Sequence, residues 1–101
     1  MQTFKNKKVT VFGLAKSGIA SARRLVSLGA KVRTTEIKQE HFFDASLIKE
    51  LKDLKIDLEF GGHTLQSIES ADLIVVSPGI HIDIPILETG GFRKRRVRLP
   101  A

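Results

Sequence analysis

The chain has 101 residues, of which 42% are hydrophobic and 28% are charged, and its formal net charge is +6. This length and composition are typical of one globular domain, and the lack of cysteine excludes disulfide bonds and thiolate metal sites. No apolar run is long enough to cross a bilayer, and the N-terminal MQTFKNKK has no apolar signal-peptide core. We therefore predict a cytoplasmic protein with no membrane partner.

The first elements follow from the segment KVTVFGLAKSG. Its β-branched residues 8–12 predict a strand, and residues 13–18 predict the turn after it. From Ser17 onward, apolar residues recur at helical spacing as far as Gly29, whose position suits a left-handed helix end. Ser17 itself is placed to cap this helix. Residues 31–35 then predict a second strand, which stops at Glu36.

The following segments continue the alternation of strands and helices. A second helix, with an apolar stripe between residues 47 and 54, can be capped by Asp44 or Ser46, and residues 56–60 alternate like a strand. A short helical segment at 65–68 precedes residues 73–76, an apolar run typical of a central parallel strand. This order predicts an α/β fold, a Rossmann-like three-layer sandwich around a mostly parallel sheet of four to five strands.

The end of the chain has a different character. Five basic residues lie between positions 93 and 98, and the rest of the chain is almost neutral. Such a tail can bind nucleic acid or an anionic surface, but no nucleic-acid-binding motif accompanies it. We therefore predict no specific nucleic-acid partner. The segment TGGFRKRRVRLPA shows neither helical nor strand periodicity.

Three loops are predicted at the carboxyl edge of the sheet, where folds of this class bind ligands. They are GLAKSG after the first strand, Glu36-Ile37-Lys38 after the second, and Ser77-Pro78-Gly79 after the fourth.

GLAKSG departs from the dinucleotide fingerprint G-x-G-x-x-G, because Ala15 replaces the second glycine and its methyl group would push a diphosphate outward. The start of the helix remains an anion site, which the Ser17 hydroxyl and Lys16 would reinforce. The alternative is purely structural. Gly13 then serves only a tight turn, and Gly18 only lets the helix approach the strand.

The other two loops leave a similar choice. Glu36 stands where dinucleotide folds often place an acid that accepts a ribose hydroxyl, although an acid at a strand end is also often merely solvated. Ser77-Pro78-Gly79 is either a simple turn or a turn that presents its backbone to a ligand. The histidines lack metal-ligand spacing and no nucleophile is paired with a base, so we predict no metal site and no catalytic residue.

Residues 5–88 resemble the N-terminal domain of the Mur ligases, specifically of the D-glutamate-adding type. The features that carry the resemblance are KKVTVFGLAKSGIASARRL, the acid Glu36, FGGH at 60–63 and ADLIVVSPGI at 71–80. The last of these is the most specific, because an apolar strand running into S-P-G-[IV] recurs across these ligases.

The resemblance implies that residues 1–88 bind UDP or the uridine diphosphate part of UDP-N-acetylmuramoyl-L-alanine. Lys16 and Ser17 would face the diphosphate, and Ile37 would contact uracil through its backbone because its side chain cannot donate a hydrogen bond. The residues implied to surround the ligand are Ala15, Lys16, Ser17, Gly18, Glu36, Ile37, Lys38, Ser77, Pro78 and Gly79.

The same resemblance implies no cofactor in this chain, since ATP and magnesium belong to the family's central domain, whose G-x-x-G-K-[ST] loop is missing here. No ligase activity is expected from the chain alone. Residues 89–101 are expected to be a disordered or non-native basic tail, from a truncation or frameshift. Two alternatives stay open: an NAD(P)-binding Rossmann regulatory module, and a nucleic-acid-associated protein acting through the tail. The sequence predicts no oligomeric state.

Overall fold

The computed structural model describes residues 4–76 and the backbone of residues 96–98. The described strands form one parallel sheet in the order β3-β2-β1-β4-β5. The strands are β1 Lys8–Phe12, β2 Lys31–Glu36, β3 Asp57–Phe60, β4 Leu73–Val76 and β5 Arg96–Arg98. The helices are α1 Lys16–Ser27, α2 Ala45–Asp53 and α3 Leu65–Glu69, with a 3-10 turn at Glu40–Phe42. Among the described residues, no helix has the length and hydropathy needed to span a membrane.

The sheet separates two cores, because successive side chains of a strand point to opposite faces. On one face, Val9 and Val11 of β1 pack with Ala22 and Leu25 of α1 and with Leu51 of α2. On the other face, the buried cluster joins β1 and β4 to the α3 region, and its members are Phe12, Ile68, Ala71, Ile74 and Val76. The predicted Rossmann-like α/β fold is therefore confirmed.

The helix ends differ in part from the prediction. Helix α1 begins at Lys16, and Ala15 occupies the N-cap position in extended backbone with no side-chain cap. The prediction that Ser17 caps this helix is therefore wrong, because Ser17 already lies inside the first turn. At the other end the prediction is confirmed, since Gly29 has φ 91° and directly follows the C-cap residue Leu28.

The remaining elements fall close to their predicted positions. Strands β1 and β4 have the predicted bounds, β2 includes Glu36, and β3 starts one residue later than expected. Asp44 is the N-cap residue of α2, although its side chain makes no capping hydrogen bond.

The basic tail contains a strand that its sequence did not indicate. Residues 96–98 pair in parallel with β4, with Val75 opposite Val97. Strand pairing uses backbone groups, so a three-residue segment can extend the sheet without an apolar pattern of its own. The lack of strand periodicity in 89–101 was therefore misleading at this point.

Thr34 offers a test of the core on the α1 face. Its side chain is fully buried, and its Oγ1 has no hydrogen-bond partner in the described structure. We expect Thr34→Val, which keeps the shape, to raise the free energy of unfolding by about 1 kcal/mol, because it removes an unpaired buried hydroxyl. Urea denaturation measures the change.

Thr10 provides the matched control, because its buried hydroxyl donates to the carbonyl oxygen of Ser67 at 2.6 Å. Thr10→Val leaves that carbonyl without this donor and should lower stability by about 1 kcal/mol. Equal losses in the two variants would contradict the role assigned to Thr34.

Candidate functional site

The loops after β1, β2 and β3 lie together at the carboxyl edge of the sheet. They carry Ala15, Lys16, Ser17 and Gly18 from the first loop and helix, and Glu36, Ile37 and Lys38 from the second. Ser77, Pro78 and Gly79 follow directly on β4 and lie outside the described residues. The structure therefore brings residues 15–18 and residues 36–38 to one edge of the sheet, as predicted. Their role toward a ligand stays a prediction.

Both glycines of the first loop are required by the backbone. Gly13 has φ 92°, and its N–H donates to the carbonyl oxygen of Thr35 at 2.9 Å. Gly18 is buried in the first turn of α1, where a Cβ would overlap the carbonyl oxygen of Gly13 and approach Val11 Cγ1 at 3.6 Å. The structural explanation of these glycines is correct, and it is compatible with ligand binding at the same loop.

The start of α1 faces this edge. The Ile19 N–H donates to the carbonyl oxygen of Ala15 at 2.9 Å, so the first helical hydrogen bond begins at the N-cap residue. Amide groups of a first helical turn and the positive end of the helix dipole favour an anion. Lys16 is exposed and Ser17 is half-buried within this turn.

Glu36 ties the first loop to the second. It is only 7% exposed, and its Oε1 accepts a hydrogen bond from the Leu14 N–H at 2.8 Å. Its Oε2 accepts another from the Lys38 N–H at 2.8 Å. The carboxylate thus holds two loop backbones in place and is not merely a solvated acid, while its role toward a ribose stays a prediction.

The loop after β3 is hydrogen-bonded to the loop after β2. The Gly61 N–H donates to the carbonyl oxygen of Lys38 at 3.0 Å, and the Gly62 N–H donates to that of Glu36 at 3.3 Å. Both glycines have positive φ, 80° and 144°. FGGH, which contributed to the family resemblance, thus has a supporting role that was not predicted, although two adjacent glycines after a strand were a usable signal of it.

A polar cluster lies on the α3 side of the same edge. We call it the Glu59 cluster. The carboxylate of Glu59 accepts hydrogen bonds from the hydroxyls of Thr35 at 2.6 Å, Thr64 at 2.8 Å and Ser67 at 2.9 Å. His63 completes the cluster, with its Nδ1 at 2.7 Å from Thr35 Oγ1 and its ring centroid 4.7 Å from that of Phe12.

Two pKa values in the cluster are shifted. Burial would raise the pKa of Glu59, but the hydrogen bonds from Thr35, Thr64 and Ser67 outweigh it and hold that pKa below its ordinary value. Burial also lowers the pKa of His63 below its ordinary 6.5, and the negative charges of Glu59 and Glu36 oppose this only in part. The folded protein therefore favours a carboxylate at Glu59 and a neutral imidazole at His63.

The His63 shift predicts how stability depends on pH. Because the unfolded chain binds a proton at His63 more readily than the folded chain does, this contribution is complete above pH 6.5 and decreases as the pH falls below it. We expect the free energy of unfolding to fall between pH 7.5 and pH 5.5 in urea titrations. His63→Phe should flatten this slope.

The matched control is His41→Phe, since His41 is an exposed histidine stacked on Phe42. It should leave the slope unchanged. An unaltered slope in His63→Phe would show that another group is responsible for it.

Comparison with known proteins decides the family. Residues 7–95 match the family model described as "Mur ligase MurD-like, N-terminal domain". The chain belongs to this family. The match reaches seven residues beyond Glu88, where the sequence resemblance was expected to stop.

Two curated relatives of this MurD-like domain carry the name "UDP-N-acetylmuramoylalanine--D-glutamate ligase". The relative from Geobacter sp. (strain M21) is 50% identical over 93 residues, which cover 92% of this chain and 20% of the relative. The relative from Citrifermentans bemidjiense is 46% identical over 93 residues, with the same coverage of both chains. The chain thus spans about a fifth of the length of these relatives.

A solved structure agrees with the family assignment. The chain is similar to a pseudomurein peptide ligase type C from Methanothermus fervidus, with a TM-score of 0.74 and 29% identity. The similarity covers 92% of this chain and 19% of that one.

Proposed function

We propose that this MurD-like domain binds the uridine diphosphate part of UDP-N-acetylmuramoyl-L-alanine, as a component of a D-glutamate-adding ligase of peptidoglycan synthesis. The observation that carries the proposal is the Glu36 clamp, which holds the start of α1 beside the loop after β2. In this proposal the clamp holds the anion site next to the nucleoside site. The names of the relatives support the choice of ligand.

In this proposal the diphosphate lies at the start of α1. The first-turn amides and the helix dipole stabilise its charge, and Lys16 and Ser17 contribute the ammonium and hydroxyl groups. Ala15 stands at the N-cap, with an exposed side chain where a dinucleotide loop has glycine. Its methyl group disfavours the close backbone approach that a nicotinamide dinucleotide makes, and this favours a different diphosphate.

The uridine is assigned to the second loop. The side chain of Ile37 is 66% exposed and can cover one face of the uracil ring, while the loop backbone supplies hydrogen bonds. Ser77, Pro78 and Gly79 would close the opposite side. The ATP-dependent step is assigned to other domains of such a ligase, because the G-x-x-G-K-[ST] pattern does not occur in these 101 residues.

A ligand titration tests the proposal. Ligand-observed NMR or calorimetry on the chain should show binding of UDP-N-acetylmuramoyl-L-alanine and of UDP, and much weaker binding of NADH. The affinities should be modest, since contacts from other domains would normally add to binding. A preference for NADH would overturn the assignment and favour the alternative of an NAD(P)-binding module.

A charge placed in the first turn of α1 localises the diphosphate. We expect Ser17→Asp to stay folded, because an acid in the first turn of a helix interacts favourably with its dipole. It should bind UDP at least about tenfold more weakly, because the new carboxylate repels the phosphates. Ser17→Asn, of nearly the same size but neutral, is the control and should retain most of the affinity. Equal affinities of the two variants would place the phosphates elsewhere.

A further inference from the structure

The backbone hydrogen bonds and burial of Glu36 disfavour this side chain as the ribose acceptor of the proposed site. An acid at the end of the second strand commonly accepts a ribose hydroxyl in related folds. Here each oxygen of Glu36 already accepts a backbone N–H, and the side chain is 7% exposed. A carboxylate can accept about four hydrogen bonds, so it is the burial of Glu36, and not its two N–H partners, that leaves little of it open to a ribose hydroxyl.

His63 is placed to provide a ribose acceptor. Its ring packs against Phe12, the last residue of β1, and its Nδ1 contacts Thr35, the penultimate residue of β2. The ring is partly exposed, and the negative charge of Glu36 acts to raise its pKa. The imidazole thus stands between the ends of the two strands whose loops form the proposed site.

The Glu59 cluster fixes which ring nitrogen of His63 carries the proton. A carboxylate only accepts hydrogen bonds, so the single hydroxyl proton of Thr35 is directed to Glu59 at 2.6 Å. Thr35 Oγ1 must then accept at its 2.7 Å contact, and His63 Nδ1 must be the N–H that donates. In the neutral ring, Nε2 is consequently left unprotonated, as an acceptor.

The orientation of the ring follows from the same contact. Because Nδ1 points toward Thr35 on the sheet, Nε2 on the far side of the five-membered ring points away from that contact. Thr64 and Ser67 also give their hydroxyl protons to Glu59. The cluster thus holds the Glu59 carboxylate that determines the direction of the Thr35 hydroxyl.

We propose that His63 Nε2 accepts a hydrogen bond from a ribose hydroxyl of the bound uridine nucleotide, and that Thr35 and Glu59 position it for this role. The proposal rests on the proposed function, since it assigns a further recognition residue to the same site. It takes from Glu36 the ribose contact that the sequence pattern suggested.

A cycle of protein and ligand variants tests the contact. The wild-type chain should bind UDP about three- to tenfold more tightly than 2′-deoxy-UDP or 3′-deoxy-UDP, whichever lacks the recognised hydroxyl. His63→Phe keeps an aromatic ring against Phe12 but has no acceptor, so it should bind UDP and that analogue equally. His41→Phe is the matched control and should discriminate as the wild type does.

A spectroscopic measurement on the wild type makes the test independent of the folding of any variant. Nitrogen-15 NMR should show His63 protonated at Nδ1 and unprotonated at Nε2, and UDP should shift the Nε2 resonance. Thr35→Val removes the hydroxyl that fixes the tautomer, so it should give a mixture of both tautomers and weaken the discrimination.

The outcomes separate the two proposals. If UDP binds while His63→Phe still discriminates against the deoxy analogues, or while the Nε2 resonance does not move, the role of His63 is refuted and the proposed function stands. If UDP does not bind the wild-type chain at all, both proposals fail.

Discussion

Gly18→Ala should lower the free energy of unfolding by about 1–3 kcal/mol, the usual cost of forcing extra atoms into a packed site. The sign of this change is informative, because alanine inside a helix is normally about 1 kcal/mol more favourable than glycine and would by itself stabilise the chain. At Gly18 the added methyl group meets a backbone carbonyl, that of Gly13, and not a side chain that could turn aside. Either α1 or the turn after β1 has to move. Chemical denaturation gives the magnitude.

The opposite substitution two residues further along the helix is the control. Ala20 is exposed on α1, so Ala20→Gly should cost about 0.5–1 kcal/mol through helix propensity alone. Stabilisation by Gly18→Ala would show that the close approach of α1 to Gly13 is not required. If Gly18→Ala remains folded, its affinity for UDP should also fall, because the displaced turn carries the first-turn amides.

Much of this architecture was accessible from the sequence. Strands β1 and β4 were predicted with correct ends because each is a β-branched run followed at once by a turn sequence, GLAKSG in one case and Ser77-Pro78-Gly79 in the other. Their parallel pairing places the carboxyl ends of both strands at one edge of the sheet. The ends of these strands depend on residues that are adjacent in the chain, and such local patterns can be read from the sequence.

The details of the site depended on contacts between distant residues. Nothing near Glu36 in sequence indicates that Leu14, 22 positions earlier, donates to its carboxylate. The link from Thr35 to Glu59 and His63 spans 24 and 28 positions. Each of these residues fits an ordinary solvated strand end when taken alone. Their roles arise only because parallel pairing aligns Thr35 with Glu59 on one face of the sheet.

The N-cap of α1 was predicted wrongly for a different reason. Ser17 has the residue type of a good N-cap, yet the N-cap position is taken two residues earlier by Ala15, and the helix begins at Lys16. The tight turn at Gly13 and the contact between Gly18 and Gly13 fix where the chain can enter the helix. Packing outweighed capping preference here, since the cap is worth about 1 kcal/mol and the overlap would cost at least as much.

Glu36 is the position at which the fold and the proposed site are most closely coupled. The clamp needs two acceptors, one for the Leu14 N–H and one for the Lys38 N–H, and both must be reached from a single buried side chain. Glutamine has nearly the same shape but offers one oxygen and one NH2 group. Whichever way its amide turns, one backbone N–H faces another donor.

Glu36→Gln should therefore destabilise the chain by about 1.5–3 kcal/mol, the range for a lost hydrogen bond to a charged group in a buried place. The loop that loses its anchor no longer holds the start of α1 beside Ile37, so UDP affinity should fall at least about tenfold in the protein that remains folded. Glu40→Gln, an exposed change four residues away, should stay within about 0.5 kcal/mol of the parent. Denaturation and UDP titration of both variants check this. A Glu36→Gln variant as stable and as tightly binding as Glu40→Gln would show that the clamp holds neither loop.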